Sequence, residues 1–332
     1  MHVPRSMPKR SRLTLVTPVY NEEHNLELYA SEVASVFFAR EDLNTCVLFV
    51  DDGSTDRSWE KITQLAARSK QFTGLRLSRN FGAHLAIAAG LDNVDSASDM
   101  VAILACDLQD PPETVLEFVD AWRNGAQIVW GARRSRAEHG VREAVSLTME
   151  AVLRRYAMPR GSRLTTGSFL LMDRVVLDCV RQFREHSRVT FALVAWTGFD
   201  QAVVYYDRRP RRYGKSGWSL RRLLDTGYDV FVGFSQLPAR LLTWTGFAIF
   251  ASSLILLVYL VASYFLHSVQ PGWTGLMTTM TLFFGVLFMM LGIIAEYLYR
   301  IFLEAKQRPL YFVASRTPQL ETQVPKGASD VG

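Results

Sequence analysis

Between residues 241 and 295 the sequence has no Asp, Glu, Lys or Arg. A soluble helical pair of that length would carry a polar face, so the stretch points to a bilayer. Cysteine is scarce as well, with only Cys46, Cys106 and Cys179, all far apart. That spacing excludes a paired metal site and the disulfide scaffold of a small secreted domain, and the three read as buried, reduced thiols. The basic start (Arg5, Lys9, Arg10, Arg12) is not followed by a signal-peptide core, because the apolar run at 13–19 is short and enters a polar turn. The first domain is therefore expected to stay in the cytoplasm. Recognisable nucleic-acid motifs are missing. The net charge of +5 gathers instead at the amino terminus, at 133–163 and at 208–222, near or before the apolar stretch. Anionic lipid or phosphate is the expected partner, and nucleic acid is not.

What is present is a rhythm of short apolar runs and longer amphipathic ones: 13–19, 22–40, 47–50, 57–69, 74–77, a helix opening near Gly82, 100–105, a helix after Pro111 and Pro112, and 128–130. This alternation predicts an α/β domain with a mostly parallel sheet. Polar residues collect after Val19, Val50, Leu77 and Ala105, where strands are expected to end. Open α/β sheets bind ligands outside the carboxyl ends of their strands, so these loops are expected to form one site. After Arg133 the pattern weakens to an apolar run at 169–172 and a strand-like 202–206, a half expected to hold the acceptor.

The chain of 332 residues divides into a basic tail at 1–12, the α/β domain at 13–218, an amphipathic interfacial helix at 219–236, a transmembrane hairpin at 237–300 and a cytoplasmic tail at 301–332. In the interfacial segment Leu220, Leu223 and Leu224 oppose Arg221, Arg222 and Asp225, as suits a helix lying in the headgroup region. The hairpin's spans, about 241–266 and 275–295, are each long enough for roughly 30 Å of hydrocarbon. Pro271 and Gly272 mark the turn. Arg240 precedes the pair, Arg300, Lys306 and Arg308 follow it, and the loop at 267–273 has no Lys or Arg. By the positive-inside rule both ends are cytoplasmic.

Three constellations carry the chemistry. Thr17, Pro18, Val19, Tyr20, Asn21, Glu22, Glu23 and Val50, Asp51, Asp52, Gly53, Ser54, Thr55, Asp56 follow the first two strands. A turn of Gly-Ser-Thr lets backbone approach a ligand while carboxylates bond ribose hydroxyls or base N–H groups. The alternative is local: Asp56 caps a helix and Gly53 makes a turn. Next come Ser78, Arg79, Asn80, Phe81, Gly82, and then Asp107, Leu108, Gln109, Asp110, Pro111, Pro112, Glu113. These motifs, in this order, resemble the family 2 glycosyltransferases of GT-A fold. Within them the chain resembles the polyprenyl-phosphate glycosyltransferases: dolichol-phosphate mannose synthase, the undecaprenyl-phosphate aminoarabinose transferase and the bactoprenol glucosyltransferases. The likeness runs from about residue 13 to 313 and includes Arg308, Pro309, Leu310 and Tyr311.

The resemblance implies a Rossmann-like GT-A domain, followed by the interfacial helix and the two-helix hairpin. It implies that Pro18, Tyr20, Asn21, Glu22, Asp51, Asp52, Ser54 and Asn80 bind a nucleotide-sugar, and that Asp107 with Gln109 holds Mg²⁺ or Mn²⁺ on the diphosphate. Asp107, Ser168 and Arg133 take the catalytic positions, and Arg136, Arg209, Arg212, Lys215 and Ser216 those for the phosphate of a polyprenyl acceptor. A multi-pass protein of the bacterial cytoplasmic (inner) membrane follows, assembling as a homo-oligomer, a tetramer by the same resemblance. Three positions depart from the family. Ala105, Cys106, Asp107 stands for Asp-x-Asp, Thr166, Gly167, Ser168 for Thr-Gly-Asp, and Gly214, Lys215, Ser216, Gly217 for Gly-x-Ser-Lys. Two functions stay open. One is inverting transfer of a sugar from a nucleotide-sugar, a UDP-sugar in the first instance, to polyprenyl phosphate. The other is a catalytically weakened relative that binds nucleotide or lipid beside another membrane enzyme. A phosphate acceptor with a second pKa near roughly 6 is already anionic and needs positioning more than a base, so Ser168 does not close the first.

Overall fold

The computed structural model describes residues 10–134, 169–185, 189–210 and 272–323, with isolated residues of the 241–266 segment. The chain forms two units, Met1–Val230 with Pro309–Gly332, and Phe231–Arg308.

The first unit is built on one eight-stranded sheet of order β7-β5-β6-β4-β1-β2-β3-β8. Its strands are β1 (Ser11–Val19), β2 (Leu43–Asp51), β3 (Phe72–Leu77), β4 (Met100–Ile103), β5 (Ile128–Arg133), β6 (Leu170–Asp173), β7 (Gln201–Tyr206) and β8 (Val313–Arg316). β1 to β5 and β7 share one direction, and β6 and β8 run against them. β1 and the second half of β2 are buried almost without a break, the mark of central parallel strands covered on both faces. On one face α1 (Leu26–Val33), a π-helical turn (Ala34–Phe38) and α4 (Thr114–Arg123) enclose Leu13, Leu15, Phe49 and Phe118. The Tyr29 hydroxyl, deep in this layer, meets the buried Thr17 Oγ1 at 2.6 Å, as a buried polar group must. α2 (Ser58–Arg68) packs along β3. α3 (Ala83–Asp92) lies against β1 and β2 through small residues; a Cβ on its Gly90 would stand 2.4 Å from Val16 Cγ1, so no side chain fits there. α5 (Arg174–Val180) and α6 (Thr190–Trp196) follow β6 and precede β7.

Two features depart from the expected organisation. The run at 169–172, expected in a less regular half of the domain, is β6, which inserts antiparallel between β4 and β5. The segment read as a cytoplasmic tail also returns to the sheet. β8 pairs antiparallel with β3, and α8 (Pro318–Gln323) follows it. Leu310, Tyr311, Val313 and Leu320 are buried there, an apolar incentive too short to stand out in a sequence of this length.

In the second unit α7 spans Trp273–Ala305. It passes the expected end at 295 because Glu296, Arg300 and Glu304 are polar yet good helix formers. Among the described residues this is the one helix long and apolar enough to cross a membrane, over Phe283–Ala305 with mean hydropathy 1.8. Trp244, Ala248, Ala251, Ser252, Ile255 and Val258 are helical. The rest of the expected first span, and the interfacial helix at 219–236, lie outside the described residues.

Candidate functional site

The chain goes from β1 outward to β2 and β3, then returns to place β4 on β1's other side. This reversal makes a topological switch point at the carboxyl ends of β1 and β4, outside which open α/β sheets have their ligand crevice. Tyr20, Asn21 and Glu22 leave β1 on one side and Asp107 follows β4 on the other. Cys106 sits between them; burial, then the charges of Glu22 and Asp107, push its thiol well above its ordinary pKa.

The loop after β1 is laced to the loop after β2. Asn21 adopts a left-handed φ of 53°, which asparagine tolerates. Its N–H donates to Ser54 Oγ (3.0 Å) and its Oδ1 accepts from the Thr55 N–H (2.9 Å). The Glu22 N–H donates to Ser58 Oγ (2.9 Å), and Asp56 accepts from the N–H groups of both Glu23 (3.2 Å) and Ser58 (2.9 Å). Asp56 thus opens α2 and fixes the neighbouring loop at once. Tyr20 is left 46% exposed at the rim.

Asp51 and Asp52 are both buried, and burial raises the pKa of each. Asp51 accepts from the Ser54 N–H (3.0 Å) and pairs with Arg76 Nε (3.2 Å). Asp52 accepts from the N–H groups of Phe81 (2.7 Å) and Gly82 (2.9 Å). It therefore binds the opening of α3 and the loop carrying Asn80. Gly53, at φ 67°, lets the two loops meet: a Cβ there would lie 2.4 Å from the Arg79 carbonyl carbon. These two carboxylates shape the loops, and Asn80 and Arg79 remain exposed beside them.

Behind the crevice, Leu108 takes φ 55° and turns the chain after Asp107. The Gln109 N–H donates to Asp107 Oδ1 (3.2 Å). Asp110, buried, accepts from the Tyr206 hydroxyl and pairs with Arg208 Nε (3.4 Å). Its pKa rises through burial, opposed by the Tyr206 bond, while burial and then Asp110 push the Tyr206 phenol up. Arg133, exposed at the end of β5, lies in register with Tyr206.

The oxygen donors here are of the type a hard divalent cation takes: Asp107 would offer one carboxylate and Gln109 an amide oxygen, while Ala105 offers none, and among the described residues no group of three acidic, His or Cys side chains forms a cage. Mg²⁺ and Mn²⁺ sites of this kind leave most positions to substrate phosphate and water.

Of the residues read from sequence, Tyr20, Asn21, Glu22, Ser54, Asp107 and Gln109 come together at this edge, and Pro18 is half-buried inside β1. Arg209 does not stand free for a phosphate, since it pairs with Glu32 and Glu113. Ser168, Arg136, Arg212, Lys215 and Ser216 lie outside the described residues. Arg208, read from sequence as another candidate for the acceptor phosphate, pairs with Asp110; sequence reasoning passed over Tyr206 and Arg76, whose partners are distant in the chain and carry no local spacing signal.

Residues 14–181 match the family described as glycosyl transferase family 2. An uncharacterized glycosyltransferase of Synechocystis sp. is 35% identical, covering 91% of this chain and 94% of its own. The bactoprenol glucosyl transferase of Shigella phage SfX is 28% identical, covering 92% of this chain and 99% of its own. Among solved structures, a mannosyltransferase from Pyrobaculum calidifontis in complex with GDP-Man and Mn²⁺ matches at 17% identity and a TM-score of 0.44, over 90% of this chain and 89% of that one. With the family match spanning half the chain and the Synechocystis relative covering 91% of it, this protein belongs to glycosyl transferase family 2, and its Rossmann-like, mostly parallel sheet is a GT-A glycosyltransferase domain.

Proposed function

We propose that this glycosyltransferase moves a sugar from a nucleotide-sugar, a UDP-sugar in the first instance, to polyprenyl phosphate at the cytoplasmic face of a bacterial membrane. The observation that carries the reading is the topological switch between β1 and β4, with Asp107 and Gln109 following β4 and Tyr20 to Glu22 following β1. The bactoprenol transferases among the relatives and the apolar helix over Phe283–Ala305 support a lipid acceptor.

The laced loops after β1, β2 and β3 would hold the nucleoside, with Tyr20 and Asn80 exposed toward it. Asp107 and Gln109 would hold Mg²⁺ or Mn²⁺, which supplies charge neutralisation for the departing diphosphate when bound. The acceptor's phosphate oxygen attacks the anomeric carbon in line. A bond from carbon to that oxygen forms, the bond to the diphosphate oxygen breaks, and the nucleoside diphosphate leaves with the electron pair. One displacement inverts the anomeric centre. Arg133, exposed at the end of β5, is the described cation suited to the incoming phosphate. The dianionic acceptor supplies its own nucleophile, so Ser168, in place of a carboxylate, would only orient it.

The second reading, a weakened relative that binds nucleotide or lipid for another enzyme, is favoured by Ala105, which leaves Asp107 as the sole carboxylate of the motif. Calorimetric titration of UDP-sugars with and without Mn²⁺ separates the two. The transferase reading expects binding that strengthens with Mn²⁺. Metal-indifferent binding favours the second reading.

A further inference from the structure

Resting on the transferase reading, we infer that Arg209 is a positioning residue for the loop that carries Asp107 and Gln109, and not a ligand of the acceptor phosphate. Its backbone N–H donates to the Gln109 carbonyl (2.8 Å). Its Nη1 donates to Glu32 Oε2 of α1 (2.9 Å), and its Nη2 to both carboxylate oxygens of Glu113 (3.1 and 3.0 Å), just before α4. One cation thus bridges two carboxylates, and both of its Nη groups are engaged. A phosphate would have to displace a carboxylate to bind it. The neighbouring contacts act in the same direction, since Tyr206 and Arg208 both reach Asp110. The exit of β7 is therefore fastened along residues 109–113, and the loop cannot move without breaking charge-assisted bonds whose planar fork fits arginine specifically.

The test uses the full chain in detergent, with UDP and Mn²⁺ as probes in calorimetry, followed by transfer kinetics with polyprenyl phosphate. Groups behind metal ligands typically change metal affinity about tenfold to a hundredfold when removed. Arg209→Gln is expected to weaken Mn²⁺-dependent UDP binding by about that range, with KM for polyprenyl phosphate unchanged. The double variant Glu32→Gln, Glu113→Gln should give the same defect, and Arg209→Lys should not restore binding, because it lacks the fork. Where Arg209→Gln yields no folded protein, Glu113→Gln carries the same test on a half-exposed side chain. The inference is overturned if Arg209→Gln keeps UDP binding but raises the acceptor KM, or if the glutamate variants bind UDP like the native chain. A native chain whose UDP binding depends on the clamp but which transfers no sugar counts against the transferase reading alone.

Discussion

Asp51, Asp52, Asp107 and Asp110 all lie at or after the ends of parallel strands, yet their surroundings give them separate work. Asp52 spends both oxygens on the backbone of the next loop, Asp110 answers a tyrosine, and Asp107 stays at the crevice. Position in a motif gives the location of a carboxylate; the donors around it decide its use. Asp42, away from the site, shows the same logic in measurable form. The side chain of Arg40, and then Arg123, holds its pKa down to about 2 from an ordinary 3.8. A depressed carboxylate stabilises the fold above its unfolded pKa and loses that contribution as pH falls toward the folded value. The native chain should therefore be more stable than Asp42→Asn at pH 6, by less than about 1 kcal/mol because the pair is partly solvated. The gap should close between pH 4 and pH 2. Paired thermal melts check it, and a gap that persists below pH 2 contradicts the assignment.

At the scale of elements, β8 and its flanks hold the edge of β3. The Thr317 hydroxyl accepts from the Gly74 N–H (3.0 Å), the Thr317 N–H donates to the Gly74 carbonyl (2.9 Å), and the Ser78 N–H donates to the Phe312 carbonyl (2.9 Å). Thr317→Val keeps the volume but strands a buried N–H, at an expected cost of about 1 to 3 kcal/mol. Thr317→Ser should cost much less. Thermal or denaturant unfolding of the two variants decides, and equal stabilities would mean that water replaces the hydroxyl. These elements also mark what the sequence could reveal. β1 to β5 were legible because long buried runs alternate with amphipathic helices, and the polar residues at their ends located the crevice. β8 was not, since four residues whose partners lie more than two hundred positions earlier have no periodicity of their own. The Arg209 clamp was hidden for a related reason: a guanidinium after a strand suits phosphate and carboxylate equally until its neighbours are known.

Across the whole molecule, connectivity constrains topology. The chain leaves the sheet-bearing unit before Phe231 and rejoins it at Pro309. In the expected hairpin the apolar helix over Phe283–Ala305 would be one of two crossings, and both ends would lie on the side of the catalytic domain. A reporter active only outside the cytoplasm, fused after Gly332, should be silent, and strong activity would contradict the arrangement. The central claim is transfer itself. Purified full-length protein, given polyprenyl phosphate, labelled nucleotide-sugars and Mn²⁺, should form a lipid-linked sugar, and Asp107→Asn should lose that metal-dependent product while remaining folded. If the native chain forms none from any common donor, while Ala105→Asp combined with Ser168→Asp does, the native protein is a binding relative and the account is contradicted.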